Sequence, residues 1–368
     1  MNLNLEDNHT ELQHYGWNAG VEARWNKEFG LLSEYSPARV TVDLGQKYRL
    51  ITSHGELLGE MTGRMRHDLD RGIGTAPAVG DWVAVISRPE DGAASIHGVL
   101  GRTGQISRQA AGQQTKEQIV ASNVDVLFLV VALNHDFNLR RLERYLIMAY
   151  SSGASPVILL SKSDLCEDVE YYKEQVESIA PGVPVCAVSA LEDQGLDQLT
   201  PFLREGMTCA LTGSSGCGKS TLLNRLAGED YQVTQGIRED DSRGRHTTTH
   251  RELFPLPGGG VLIDTPGMRE LQLWDGGGEG LGGAFSDIEG LAEHCRFRDC
   301  THTKEQGCAV LEAVRNQEMQ ASRLTNFHKT ARELKYQAKK ESQRSSMKDK
   351  SAPKTKRNKA VDWRGEVD

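Results

Sequence analysis

The sequence predicts a multi-domain α/β protein, and three features of the chain predict it. Five short segments between residues 38 and 100 alternate apolar and polar side chains, the pattern of a small β-barrel. From residue 125 near-continuous apolar runs of strand length alternate with helical segments, as in a parallel sheet buried on both faces. Three of the seven cysteines crowd between Cys295 and Cys308 with a histidine among them, which in a reducing compartment suggests a metal site more than a disulfide. The expected organisation is an N-terminal extension (1–35), an OB-type barrel (36–105), an α/β domain (106–272), a helical domain around the cysteines (273–342) and a basic, disordered tail (343–368).

A length of 368 residues accommodates two or three domains. The formal net charge of −8 argues against attachment to nucleic acid by bulk charge. That figure hides an asymmetry, because residues 329–359 hold 12 lysines and arginines against 3 acidic residues. The longest apolar run, Val126 to Leu133, is far shorter than the roughly 20 residues of a membrane helix. The N-terminus is acidic where a signal peptide is basic, so a cytoplasmic protein without a membrane partner is expected.

Residues 1–34 carry Tyr15, Trp17, Trp25 and Phe29 without long periodicity, and one helix is expected there. The barrel strands are ARVTVDL, KYRLITS, GELLGEMTGR, VGDWVAVIS and ASIHGVL, each bounded by Gly, Pro or Asp. The parallel strands are expected at 125–133, 156–161, 184–189, 207–212 and 260–264, with helices near 139–151, 167–179, 194–204 and 219–228. A last helix is expected near 309–341.

Gly213, Ser214, Ser215, Gly216, Cys217, Gly218, Lys219 and Ser220 match G-x-x-x-x-G-K-[ST] between the apolar strand MTCALT and the helix-like STLLNRLAG, whose Thr221 is a further candidate nucleotide contact. Glycines there let backbone N–H groups cradle phosphates, the lysine reaches the β and γ phosphates, and the serine ligates Mg²⁺. Ser161, Lys162, Ser163 and Asp164 follow a second apolar strand. An aspartate so placed accepts from guanine N1 and N2 hydrogens while the lysine stem covers the ring, although Ser161 stands where Asn or Thr is usual. The tetrapeptide alone is equally compatible with a solvated turn. Ser189 and Ala190, at the end of another strand, fit a backbone contact to the guanine oxygen. Asp264 to Gly267 fit D-x-x-G, with the aspartate acting on Mg²⁺ through water and the Gly267 N–H meeting the γ-phosphate. Between them lies RHTTTH, in which Thr248 is the candidate to complete the Mg²⁺ shell.

The order of these elements is a circular permutation, since in most GTPases the phosphate loop comes first and the base-reading elements last. With VGDW (Val79 to Trp82), the linker from Arg108 to Asp125, HTTT and the cysteine cluster, the chain resembles the ribosome small-subunit-dependent GTPase A family, RsgA or YjeQ, over residues 36–330. The resemblance implies an OB barrel, a circularly permuted GTPase domain and a C-terminal zinc domain. It also implies GTP and GDP as ligands, with the small ribosomal subunit and its rRNA as partner, in late assembly or as a checkpoint. The barrel, the zinc module and the tail would supply rRNA contacts, and a monomer is expected.

Cys295, Cys300, His302 and Cys308 offer the Cys₃His set of a closed, structural Zn²⁺ site. Met268 follows D-x-x-G where many small GTPases place a water-positioning Gln. Slow intrinsic turnover is therefore expected, with His246 the leading intramolecular candidate to position the attacking water. Two alternatives stay open at this point: a P-loop ATPase or kinase, disfavoured by Lys162 and Asp164, and an RNA-binding module using the GTPase domain as scaffold. The tail has a plainer alternative as a solubilising segment.

Overall fold

The structure, a computed structural model, describes residues 10–109, 117–228, 251–264 and 279–351. Two helices, α1 (Thr10–His14) and α2 (Ala19–Glu28), stand where one was expected. Asn18 separates them, its side chain accepting from the Gly20 and Val21 amides at 2.9 and 3.0 Å to cap α2. Trp17 packs edge-on against Trp82 (5.0 Å between centroids) and Trp25 against Trp17 (6.2 Å), so the extension is bound to the outside of the barrel.

The barrel strands are β1 (Ser36–Asp43), β2 (Lys47–Thr52) and β3 (Gly55–Met61), then helix α3 (Gly63–Asp70), β4 (Trp82–Arg88) and β5 (Ala93–Val99). They pair in the order β1-β2-β3-β5-β4, and β4 returns to β1 to close the barrel; only β3 and β5 are parallel. This is the expected OB-type closure, filled by Ala38, Val40, Leu50, Leu57, Val83, Val85 and Ile96.

The VGDW residues form a junction. Asp81 is fully buried, accepts from the Ala78 amide (2.8 Å) and grips Arg102 with both carboxylate oxygens. Ser122 bonds Val79, and Asn123 bonds the Gly80 carbonyl, joining the barrel to the next segment. Across the same junction the buried Arg39 guanidinium donates to the Tyr15 carbonyl (2.7 Å) and to Thr208 Oγ1 (2.9 Å) and stacks on Trp82. Burial lowers its pKa to about 10.

A ribbon, β6 (Gln105–Gln109) and β7 (Glu117–Ser122), overlaps the expected linker. The α/β domain follows: β8 (Val126–Ala132), α4 (Leu139–Ser151), β9 (Ser155–Ser161), α5 (Val169–Glu177), β10 (Val185–Val188), β11 (Thr208–Gly213), α6 (Lys219–Ala227), β12 (Glu252–Pro255) and β13 (Val261–Asp264). Strand order is β10-β9-β8-β11-β13-β12, the first five parallel and β12 antiparallel. Alternate residues of β8 serve two cores: Leu127, Leu129 and Val131 face one, and Val126, Phe128 and Val130 the other. That is why its sequence is apolar without alternation. In place of a helix at 194–204 there is a short 3₁₀ turn, Leu196–Leu199; it starts from left-handed Gly195 (φ 71°), and Pro201 lacks the N–H that a longer helix would use there. β12 also pairs with β1 at Val42 and Glu252, making one sheet of barrel and α/β domain.

Four helices complete the described chain: α7 (Glu279–Ala284), α8 (Ser286–Ala292), α9 (Ala309–Arg315) and α10 (Ala321–Ser351). The single helix expected at 309–341 is broken by a Schellman turn, in which Glu318 N bonds Ala313 O, Gln317 N bonds Val314 O, and Gln317 is left-handed (φ 62°). α10 then continues to Ser351, into the stretch expected to be disordered from 343, through residues rich in good helix formers. These helices pack on α4 and share its core through Phe285, Ile288, Val310 and Leu324. A Cβ at Gly283 would meet the Tyr150 ring of α4 at 2.7 Å, so only glycine allows this approach. Arg323 of α10 bonds Glu143 of α4 (2.7 Å) and Asp287 (2.7 Å), with Arg323 and Glu143 buried.

Arg323→Ala leaves the buried Glu143 carboxylate without its guanidinium. It is expected to destabilise the protein by about 3–5 kcal/mol, whereas adding Glu143→Gln recovers part of the loss; denaturant unfolding of the two variants measures both.

Candidate nucleotide site and metal cluster

Because β8, β9, β10, β11 and β13 run the same way, their carboxyl ends lie along one edge of the sheet, where open α/β folds bind ligands. The phosphate loop leaves β11, Ser161 to Asp164 leave β9, Ser189 and Ala190 leave β10, and Asp264 ends β13. The structure thus brings together four elements that are scattered over a hundred residues of sequence. His246, Thr248, Gly267 and Met268 lie outside the described residues.

The loop from Gly213 to Gly218 turns through left-handed glycines at 216 (φ 75°) and 218 (φ 95°). Gly218 is the N-cap of α6 and supplies no side-chain acceptor, so the first-turn amides have no side-chain cap. The Lys219 ammonium rests inside the loop, donating to the carbonyls of Gly213 (2.7 Å) and Ser214 (2.6 Å). Ser215, Gly216, Ser220 and Thr221 are exposed, Ser214 is half-buried, and Cys217 is buried beneath them. Together the amides, the helix start and the lysine make an anion cradle.

Ser161 is buried, and its hydroxyl lies 2.6 Å from the Cys217 carbonyl and 3.3 Å from that of Val131. It therefore ties the strand that carries Lys162 and Asp164 to the phosphate loop. Lys162 is left-handed (φ 58°), and its stem lies 4.0 Å from where a Cβ of Gly218 would be. Ser163 and Asp164 open a short 3₁₀ turn, with Asp164 exposed. The loop after β10 is braced by reciprocal backbone bonds between Ser189 and Gln194 (both 2.9 Å) and by Ser189 Oγ accepting from the Glu192 amide. An ion pair from Arg225 of α6 to Asp193 (2.6 Å) joins it to the phosphate side.

One participant was missed from sequence. Asp136, in the loop after β8, accepts from the Ser214 hydroxyl (2.6 Å) and pairs with Arg141 of α4 (2.7 Å). The Arg141 guanidinium, then the Ser214 hydroxyl, hold its carboxyl below the usual carboxylate range. The available signal was positional: an acidic residue just past an apolar parallel strand and ahead of a helix capped by Asn138.

Cys295, Cys300, His302 and Cys308 place their ligand atoms within 4.8 Å of one another. A tetrahedral ion with metal–sulfur bonds of ~2.3 Å and metal–nitrogen bonds of ~2.0 Å sets its ligands roughly 3.5–3.8 Å apart. Cys295 to Cys308 is 3.8 Å, Cys295 to His302 Nδ1 3.7 Å and His302 Nδ1 to Cys308 3.4 Å, so these three donors fit such an ion, with the Cys300 thiol within 4.8 Å of each. Burial works against the Cys295 thiolate, but the Val310 and Ala309 amides and the neighbouring thiols outweigh it and lower its pKa. Burial, then the neighbouring His328, lowers the pKa of His302, favouring the neutral imidazole a metal requires. His328 of α10 also bonds the His302 carbonyl at 3.1 Å, fastening the cluster to the long helix.

Comparison with known proteins meets this geometry. The model of the RsgA GTPase family matches residues 99–274. The small ribosomal subunit biogenesis GTPase RsgA of Methanosarcina acetivorans is 45% identical over 325 residues, covering 88% of this chain and 86% of that one. The chain belongs to the RsgA family. RsgA 2 of Lactiplantibacillus plantarum is 44% identical over 323 residues, covering 88% and 89%. Among solved structures, YjeQ from Thermotoga maritima superposes with a TM-score of 0.63 at 27% identity, covering 82% of this chain and 98% of that one. YloQ, a circularly permuted GTPase, does so with 0.61 at 26% identity, covering 82% and 96%. As a member of the RsgA GTPase family the chain is a hydrolase acting on GTP, with the permuted order expected from its motifs. No helix of the described residues is long and apolar enough to cross a membrane.

Ser161→Ala removes the tether between the loop after β9 and the Gly213–Gly218 loop. Nucleotide affinity is expected to fall about fivefold, roughly 1 kcal/mol for one buried hydrogen bond. Preference for GTP over ATP stays unchanged because the hydroxyl faces the phosphate loop; competition titrations read both.

Proposed function

We propose that this GTPase binds the small ribosomal subunit and hydrolyses GTP on it during late subunit maturation or as a checkpoint. The observation that carries the reading is the gathering of phosphate loop, guanine-type elements and Asp264 on one sheet edge, in a chain whose close relatives are named for small-subunit biogenesis. In this reading the protein is a cytoplasmic monomer, and its acidic body meets rRNA through local surfaces of the barrel, the cysteine module and the basic tail.

In this reading the first-turn amides of α6 and the Lys219 ammonium take the β and γ phosphates, and Asp164 accepts from the guanine edge beneath the Lys162 stem. Ala190 offers its amide to the guanine oxygen. Ser220 and Thr248, hard oxygen donors, are the residues that would hold Mg²⁺, with Asp264 acting on it through water. That ion, when bound, neutralises charge developing on the phosphate oxygens. Gly267 meets the γ-phosphate through its amide. His246 positions the water for in-line attack, the role left open by Met268. Cys295, Cys300, His302 and Cys308 hold one structural Zn²⁺, which leaves no ligand position for substrate.

GTP turnover measured with and without small subunits across a salt series tests the partner. Stimulation of roughly tenfold or more is expected, declining as salt rises; no stimulation at any salt concentration would falsify the reading. His246→Ala is expected to lose most of the stimulated rate and to keep nucleotide binding. Purified protein is expected to carry one zinc per chain. Cys300→Ser or prolonged chelation lowers both the zinc content and the melting temperature, and retention of full stability without metal contradicts a structural ion.

A further inference from the structure

The nucleotide edge of the sheet has a switch point. From β8 the strand order proceeds outward through β9 and β10, and from β11 it proceeds the other way through β13, so the crevice opens between the ends of β8 and β11. The phosphate loop forms one wall. The other wall is the loop 133–138, and one side-chain hydrogen bond crosses between them, from Ser214 Oγ to Asp136 Oδ2 at 2.6 Å.

We infer that Asp136 is a positioning residue of the nucleotide site: it fixes the phosphate loop through Ser214 and so sets where the Lys219 ammonium rests. This inference rests on residues 213–220 being the phosphate loop. Ser214 is held at two points, its hydroxyl by Asp136 and its carbonyl by Lys219 Nζ at 2.6 Å. A planar peptide with its carbonyl fixed on the lysine has its N–H pointing the opposite way, so the 214–215 peptide is locked in one of its two orientations. Release of the hydroxyl frees that peptide to turn and moves an acceptor away from the lysine.

Asp136 is itself fixed. Asn134 accepts from its amide at 2.9 Å, and Arg141 donates to the same carboxylate oxygen at 2.7 Å. Arg141 stands in the first turn of α4, whose far end meets α7 at Gly283 and whose Glu143 is gripped by Arg323. The Arg141 charge also answers a problem of chemistry, because a bare carboxylate beside a phosphate cradle would repel the ligand it helps to seat. Paired with the guanidinium, Asp136 serves as a strong acceptor for Ser214 while the pair is neutral overall.

The test uses the full chain with fluorescent GDP and a non-hydrolysable GTP analogue, together with steady-state hydrolysis. Asp136→Ala is expected to weaken both nucleotides about ten- to a hundredfold, the size of one charge-assisted hydrogen bond. KM should rise while kcat stays within about twofold, the mark of binding lost equally from ground and transition states. Ser214→Ala should match it, and the double variant should be no weaker than either single one. Asp136→Asn keeps an acceptor for the hydroxyl and should return affinity to within about twofold of the parent. The inference is overturned if the two single effects multiply in the double variant, if Ser214→Ala leaves affinity unchanged, or if Asp136→Asn is as weak as Asp136→Ala. Should Asp136→Ala fail to fold, Ser214→Ala and Asp136→Asn decide the matter by the same criteria. A parent protein that binds neither nucleotide removes the phosphate-loop assignment and this inference with it; binding by the parent with unaltered variants removes this inference alone.

Discussion

The common direction of β8, β9, β10, β11 and β13 is the constraint on which the nucleotide site depends. Parallel strands deliver their carboxyl ends to one edge, so loops separated by long stretches of chain arrive side by side. Once that is fixed, the order of the motifs along the chain matters little to the site, and a permuted sequence builds the same edge. What permutation changes is the attachment. In this chain the segment after Asp264 leads to helices that share their core with α4, and the strand before it, β12, lies against the barrel.

Much of the candidate site was legible because its motifs are written in local order. Glycines at required left-handed positions, a lysine at the start of a helix and a carboxylate at a strand end are consequences of neighbouring residues, and the spacing of three cysteines and a histidine is as local. The barrel and the sheet were legible for a related reason, since burial on one face or two leaves alternation or its absence in the strand. What escaped reading depends on partners distant in sequence. Asp136 is unremarkable until β8 and β11 are neighbours; Asp81 of VGDW turns out to hold Arg102 and a junction. The division of the last helix escaped because Gln317 adopts a conformation that glycine usually signals.

Two buried arginines mark the joints between modules. Arg39 connects the extension, the barrel and Thr208 of β11, and Arg323 connects α10, α8 and α4. Burying a guanidinium costs desolvation that its partners only partly return, so apolar packing alone would serve stability as well. Fixed donors in a planar fork instead demand one geometry of their partners, which suits joints whose orientation matters. The cysteine cluster plays a comparable part, tied to α10 through His328 and to α9 through the amides at its start.

The length of α10 converts a compositional fact into a distance. Its first half is anchored through Arg323, Leu324 and Leu334, and seventeen residues follow Leu334 within the helix. At 1.5 Å per residue they extend the helix by about 26 Å. Lys335 and Lys339 lie on the first turns of that extension, which holds six lysines and arginines in all, and five more follow it in the sequence. An unstructured tail of the same composition would sweep all radii around its root, whereas a helical stem carries its lysines outward along one fixed line.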